Sequence, residues 1–161
     1  MGSHSIVFID SEVGVSDKKI KDLGAVNENG DEFHSASIKD FSDFISNAEF
    51  ICGHNIVHHD LKYILPRLAS PIEAKCIDTL YLSPLLFPEI PYHSLLKDDK
   101  LLSDELNNPL NDAKKAEKVF HDEVNAFLEL DTRVKEIYYC LLNSAEEFGG
   151  FFEYLDFRSD M

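Results

Sequence analysis

The chain is poor in cysteine and has no long apolar segment. Its three cysteines, Cys52, Cys76 and Cys140, lie far apart and form no CxxC pair. That spacing excludes a disulfide framework and a structural zinc site. It indicates buried free thiols in a reducing compartment, so we expect a cytoplasmic protein. No apolar run approaches the about 20 residues of a membrane-spanning helix, and the N-terminus lacks the layout of a secretion signal.

Basic residues are scarce as well, because 15 Lys and Arg stand against 30 Asp and Glu, a net charge of −15. Taken alone, this balance argues against broad electrostatic binding of nucleic acid. Two interpretations stay open. The acidic residues can belong to a site that gathers carboxylates around cations, in which case a neighbouring domain supplies the basic surface. Alternatively, the excess acid only keeps the protein soluble.

A length of 161 residues fits one domain with a single core. Residues 1–4, Met-Gly-Ser-His, resemble the remnant of an expression tag and are left out of the fold prediction. We expect the functional domain to occupy residues 5–130. Residues 131–161 then form a C-terminal helical extension that leads towards a further domain.

Hydrophobic patterning predicts an α/β domain with a mixed sheet flanked by helices. The chain opens as an antiparallel meander, whose second and third strands join through the hairpin turn at residues 27–30. The predicted strands cover residues 5–9, 20–26, 32–38, 49–52 and 74–77. The predicted helices cover residues 41–48, 60–68, 79–86, 113–128 and 132–142. Residues 85–92 are predicted to form a loop and 92–96 a helical turn, while the aromatic tail at 146–157 has no assignment.

The helix over 113–128 shows the clearest periodicity. Its apolar stripe consists of Ala113, Ala116, Phe120, Val124, Phe127 and Leu128. We expect this stripe to face the core. The first and fourth strands both end at candidate site residues, which places the chemistry at one end of the sheet.

Two carboxylates, Asp10 and Glu12, follow the first predicted strand. Side chains at i and i+2 of a strand point to the same face. Two acids held together there repel each other unless a cation lies between them, and Mg²⁺ or Mn²⁺ prefers such oxygen ligands. In isolation the pair is better explained as two acids of a solvated loop.

Two further acids, Asp60 and Asp112, each stand at the start of a predicted helix. Asp is a favoured N-cap residue, because its carboxylate accepts hydrogen bonds from the first turn. In isolation a capping role is the better interpretation of both residues.

Together these segments resemble the DEDD exonucleases of the DnaQ-like type, which have a ribonuclease-H-like fold. The first motif of that family, FIDxE, matches residues 8–12, and the second, GHNxxxxD, matches residues 53–60. The third, LxDA before a long helix, matches residues 110–113. The order of the motifs agrees, and both gaps between them are about fifty residues. The resemblance covers roughly residues 5–130.

The resemblance implies phosphodiester hydrolysis with two Mg²⁺ or Mn²⁺ ions. Asp10 would bridge both ions, Glu12 and Asp112 would complete one site, and Asp60 would serve the other. The implied substrate contacts are Val13, His54, Asn55 and His93. A buried histidine in a turn is the alternative for His54, and Asp78 is interpreted as structural.

One position departs from the family pattern. Family members carry a histidine five residues before the last aspartate, which accepts a proton from the attacking water. Here that position is Asn107, and an amide has no useful basicity. The chain can rely on metal-bound hydroxide alone or on another base, be an inactivated variant, or bind DNA ends more than it cuts them. His93 is the nearest other candidate base, whereas His58 and His59 are expected to be partly exposed and structural.

The function implied by the resemblance is 3′→5′ exonuclease activity on DNA 3′ ends. Residues 80–86 with 91–101 look like exonuclease segments attached to bacterial RecQ-like helicases, so a fused helicase domain is an expected partner. Two alternatives remain. The domain can be a weak or inactive module that binds DNA ends for a helicase, or an RNA exonuclease similar to oligoribonuclease.

Overall fold

A computed structural model describes residues 4–90, 93 and 108–160. Five strands form one sheet: β1 (Ile6–Val13), β2 (Ile20–Asn27), β3 (Glu32–Ser35), β4 (Phe50–Gly53) and β5 (Lys75–Asp78). The α-helices are α1 (Ile38–Ile45), α2 (Leu61–Ile64), α3 (Thr79–Leu86), α4 (Pro109–Glu129), α5 (Thr132–Leu142) and α6 (Gly149–Tyr154). No helix in these ranges is long and apolar enough to cross a membrane.

The sheet has the strand order β3-β2-β1-β4-β5. β1 pairs with β2, and β2 with β3, in antiparallel fashion. On its other edge β1 pairs with β4, and β4 with β5, in parallel. The sheet is therefore mixed and flanked by helices, as the sequence predicts, and it is compatible with a ribonuclease-H-like fold.

The alternating side chains of β1 divide the interior into two cores. Ile6 and Phe8 belong to a core that α3, α4 and α6 cover. Val7 and Ile9 belong to a core on the opposite face, which α1 and α2 cover. Because both faces of the central strand are buried, it reads as a continuous apolar run instead of an alternating one.

The opening meander follows the prediction with one difference. Gly30 has a φ of 83° in the turn between β2 and β3, a conformation that glycine adopts without steric cost. The third strand is shorter than predicted and ends at Ser35. Ser37 then caps α1 by accepting a hydrogen bond from the Asp40 N–H, so Ile38 starts a helix instead of ending a strand.

The helix predicted over 60–68 is confirmed only in part, because three short helical elements take the place of one α-helix. Residues Ile56–Asp60 form a π-helical turn, α2 follows, and Leu65–Arg67 form a 3₁₀ turn that contains Pro66. Proline supplies no N–H and disfavours continued α-helix, which accounts for the early end of α2.

The long helix α4 starts four residues before its predicted boundary. Asn108 accepts a hydrogen bond from the Leu110 N–H at 2.9 Å, and Pro109 occupies the first helical position. The apolar stripe is confirmed except at Leu128, which is 46% exposed. Glu123 takes a buried position in that stripe instead.

The aromatic tail contains α6, which the sequence left unassigned. Phe151, Phe152 and Leu155 are buried in the same core as α4. The Phe151 ring meets Phe127 edge-on at a centroid distance of 5.4 Å. The described part of segment 131–161 therefore shares its core with residues 5–130. The helical turn predicted at 92–96 lies outside the described residues, apart from His93.

Candidate carboxylate site

Asp10 and Glu12 lie near the end of β1, both partly buried. They continue the even-numbered series of Ile6 and Phe8, so their side chains project from the face that α4 covers. In the ladder with β2, Asp10 stands opposite Gly24 and Glu12 opposite Asp22. The predicted pair is therefore a strand-borne pair on one face and does not belong to a solvated loop.

Asp60 is 2% exposed and ends the π-helical turn after β4. Its Oδ1 accepts the Ser11 backbone N–H at 2.9 Å and also the Ser11 hydroxyl. Its side chain makes no capping hydrogen bond with α2, so the capping interpretation is wrong. Asp60 is instead hydrogen-bonded to Ser11, which lies between Asp10 and Glu12 in β1 and projects from the opposite face of the strand.

Asp112 is 5% exposed and lies in the first turn of α4. Asn108, not Asp112, caps that helix. The start of α4 packs directly on Gly24, because a Cβ added to Gly24 would lie 2.1 Å from the Leu110 nitrogen. Since Gly24 is the ladder partner of Asp10, Asp112 comes to the corner of the sheet that carries Asp10.

The four predicted carboxylates thus come from three separate segments to one end of β1. Asp10, Glu12 and Asp112 belong to the α4 side, and Asp60 reaches Ser11 from the α2 side. Four carboxylates are the donor set that hard divalent cations prefer. Within residues 4–90, 93 and 108–160, however, no group of three or more His, Cys, Asp or Glu side chains is closed around a point that could hold a metal ion. The donor chemistry fits such an ion, and binding would have to draw the side chains together.

Asp78 supports the turn that leads to Asp60, and it is fully buried. Its carboxylate accepts the N–H groups of Asn55 at 2.7 Å, Val57 at 3.0 Å and Leu80 at 3.0 Å. Burial raises the pKa of this carboxyl group, and the three hydrogen bonds oppose that rise. The geometry agrees with the structural role that the sequence suggests.

His54 and Asn55 lie where β4 passes into the π-helical turn. The His54 Nε2 lies 2.5 Å from the His93 carbonyl and its Nδ1 lies 2.7 Å from the Thr79 hydroxyl. Burial lowers the pKa of His54, so a neutral ring donates from Nε2 and accepts at Nδ1. Both ring nitrogens of His54 form hydrogen bonds within the protein, which agrees with the alternative interpretation of His54 as a buried histidine in a turn. Asn55 adopts a left-handed conformation with a φ of 65°, which asparagine tolerates.

The other predicted substrate contacts are placed as follows. Val13 ends β1 just after a register irregularity and is partly buried. His93 offers its carbonyl to His54, while its ring Nδ1 is buried without a hydrogen-bond partner in the described part of the chain. Asn107, the position of the family's general base, lies outside the described residues.

The two histidines before Asp60 are exposed, as expected. His58 pairs with Glu147 at 3.0 Å and meets the Tyr81 ring. The His59 Nδ1 lies 3.7 Å from the Asp60 Oδ2, and its ring contacts Tyr63. His58 therefore connects the π-helical turn to the C-terminal segment.

Sequence reasoning missed two residues that shape the site, Ser11 and Gly24, and one buried acid further along α4, Glu123. Ser11 donates hydrogen bonds to Asp60. Gly24 allows the start of α4 to pack directly on β2, and a glycine inside a strand is a known signal of such close backbone approach. Glu123 is fully buried, and neither of its carboxyl oxygens has a hydrogen-bond partner. Burial, then the charge of Asp78, raises its pKa to about 10. A glutamate in the apolar stripe of α4 was the available signal.

Comparison with solved structures finds a family B DNA polymerase from the hyperthermophilic archaeon Pyrobaculum calidifontis. The sequences are 14% identical and the structures agree with a TM-score of 0.52, over 79% of this chain and 25% of the polymerase chain. This chain therefore matches about a quarter of the polymerase, and at this identity the likeness shows the fold alone. No protein-family model matches the chain, and no curated protein matches it.

Proposed function

We propose that the protein is a metal-dependent 3′→5′ exonuclease that removes nucleotides from DNA 3′ ends. The observation that carries the proposal is the hydrogen bonding of Asp60 to Ser11, the residue between Asp10 and Glu12. The seating of α4 on Gly24 brings Asp112 to the same end of β1. Acids from three motifs that are far apart in sequence therefore share one corner of the fold.

The residues that would hold the metal are Asp10, Glu12, Asp60 and Asp112. When bound, two Mg²⁺ or Mn²⁺ ions would supply a water of lowered pKa and would stabilise charge on the leaving 3′ oxygen. Asp10 and Glu12 present their carboxylates from a rigid central strand, and Asp112 does so from a helix packed on that strand. Ser11 hydrogen-bonds to Asp60 and Asp78 holds the turn that precedes it, as outer partners commonly do for metal-binding carboxylates.

The support for a nucleic-acid substrate has two parts. The motifs of this chain resemble those of DEDD exonucleases, and its fold is also found within a DNA polymerase. The net charge of −15 disfavours sequence-independent binding over the whole surface. A fused helicase domain that supplies basic surface would remove this difficulty, and we include it in the proposal.

Calorimetry with Mn²⁺ on the wild type and on Asp10→Ala tests the metal site. We expect Mn²⁺ binding that Asp10→Ala abolishes, because Asp10 shares a strand face with Glu12 and lies beside the start of α4, which carries Asp112. Digestion of an end-labelled single strand in Mn²⁺ tests the reaction and should also be lost in Asp10→Ala. Equal Mn²⁺ binding by both proteins would refute the assignment.

A second candidate is a module of the same fold that binds DNA ends without cutting them. Asn107 favours it, because an amide replaces the basic imidazole of the resembling family. Comparison with Asn107→His separates the two functions. A gain in digestion places residue 107 in the position of the base, whereas no gain removes that argument. Competition between short RNA and DNA strands decides whether the substrate is RNA.

A further inference from the structure

The acidic surface of this protein is interrupted beside the candidate site. Acids make up 30 of 161 residues, yet residues 50–72 contain one, Asp60, and that one is buried. The same segment carries Lys62 and Arg67, both exposed. A polyanion that approaches a chain of net charge −15 is repelled least where acids are absent and cations are present.

The cations of this segment are available to an external anion. Several lysines elsewhere are paired with acids: Lys21 with Asp17, Lys75 with Glu153, and Lys114 with Glu32. Lys62 and Arg67 form no ion pair with any residue that the structure describes. Binding to them would therefore break no internal salt bridge.

Aromatic groups lie among these cations. The rings of His59 and Tyr63 contact each other with centroids 5.5 Å apart. The Lys62 ammonium lies 5.5 Å from the centroid of the Tyr63 ring. Cations interleaved with aromatic rings are the usual means of holding a single strand, because phosphates pair with the cations and bases stack on the rings.

We propose that the surface formed by His59, Lys62, Tyr63 and Arg67, here named the α2 surface, binds single-stranded nucleic acid. The inference rests on the proposed function, because Asp60 directly precedes α2 and the bound strand would lead to the carboxylates. The phosphates contact Lys62 and Arg67, and a base stacks on Tyr63. The α2 surface thus gives a strongly acidic protein its own point of attachment for a polyanion.

The test measures the affinity of the whole chain for a labelled oligothymidylate by fluorescence anisotropy, in Ca²⁺ and over a series of salt concentrations. The double variant Lys62→Ala/Arg67→Ala should bind more weakly, and the slope of log affinity against log salt should fall by about 1.4, which is two phosphates at about 0.7 each. Tyr63→Ala should weaken binding roughly tenfold, while Tyr63→Phe retains the ring and the affinity.

The matched control is Lys118→Ala/Arg133→Ala, which removes the same charge from exposed positions of α4 and α5. It should change the affinity and the slope far less. Equal losses in the two double variants would overturn the proposal, because only net charge would then matter. An unchanged affinity in Lys62→Ala/Arg67→Ala would overturn it as well.

Hydrolysis of p-nitrophenyl thymidine 5′-phosphate separates this proposal from the proposed function, since that ester is a single nucleotide and carries no further phosphates for Lys62 and Arg67 to bind. We expect Lys62→Ala/Arg67→Ala to hydrolyse the ester at the wild-type rate while its KM for the oligothymidylate rises. Wild-type protein that hydrolyses neither substrate, but whose affinity for the oligothymidylate falls in Lys62→Ala/Arg67→Ala, overturns the proposed function alone. Wild-type protein that hydrolyses both, with an unchanged KM in the double variant, overturns the α2 surface alone.

Discussion

Glu123 gives the sharpest prediction about stability. It is fully buried on α4, its two carboxyl oxygens have no hydrogen-bond partner, and no cation faces it in the described part of the chain. Besides burial, the charges of Asp78 on β5 and of the neighbouring Asp122 act on it. Both oppose a negative charge, so the side chain is neutral in the folded protein.

The size of the effect follows from linkage between protonation and folding. The carboxyl pKa is 4.5 in the unfolded chain and about 10 in the folded one. At pH 7 the unfolded chain must therefore take up a proton at Glu123 in order to fold. This uptake costs about 1.4 kcal/mol for each pH unit above 4.5, or about 3 kcal/mol at pH 7. This figure depends little on the folded pKa, provided that it lies well above 7.

The sign follows from a raised pKa in the folded state. The stability associated with Glu123 is fully present below pH 4.5 and is lost progressively as the pH rises towards about 10. Glu123→Gln cannot ionise, so it should match the wild type near pH 4 and exceed it by about 3 kcal/mol at pH 7. Glu123→Met should show the same trend and also remove a buried polar group.

Urea unfolding at a series of pH values measures the difference in the free energy of unfolding between variant and wild type. Glu129→Gln is the control, because it removes an exposed acid from the same helix and should shift the free energy by no more than about 0.5 kcal/mol at any pH. If the difference for Glu123→Gln does not change between pH 4 and pH 8, Glu123 is ionised in the folded protein and the reasoning fails.

Two further substitutions test the supports of the site. Gly24→Ala places a Cβ into the backbone of α4 and should cost about 1–3 kcal/mol in urea unfolding, with weaker Mn²⁺ binding by calorimetry. Gly14→Ala is its control, because the added Cβ would meet only side chains, chiefly that of Asp17, which can move. Wild-type stability and Mn²⁺ binding in both variants would contradict the close packing of α4 on Gly24. Asp78→Asn turns an acceptor of three N–H groups into a weaker one, so we expect a loss of about 1–3 kcal/mol in urea unfolding.

The strands and the site corner were predictable because local signals specify them. The run Ile6–Ile9 is apolar on both faces, which is typical of a central strand, and the turn at Gly30 has the residue its φ requires. The ends of β1 and β4 meet because neighbouring parallel strands finish at the same edge. The sequence motifs therefore located Asp10 and Asp60 at one end of the sheet.

The contacts between segments were not predictable from the sequence. The hydrogen bonds from Ser11 to Asp60 join residues 49 positions apart, and no local pattern of Ser11 distinguishes it from a surface serine. The position of α6 depends on aromatic contacts with α4, such as Phe151 with Phe127, which periodicity alone does not specify. Glu123 is a charged residue type within the apolar stripe of α4, so a prediction that buries only apolar residues does not identify it as buried.

The two sides of the candidate site are held by different means. On the α2 side, Asp60 is fixed by hydrogen bonds, to Ser11 directly and through the turn that Asp78 anchors. On the α4 side, Asp112 is fixed by packing, because the start of α4 fits against Gly24 only in the absence of a Cβ. These supports share no residue, so each acid keeps its place independently of the other. In the proposed metal site, this arrangement would keep like charges together on a rigid strand, and a bound cation would draw the carboxylates into their final positions.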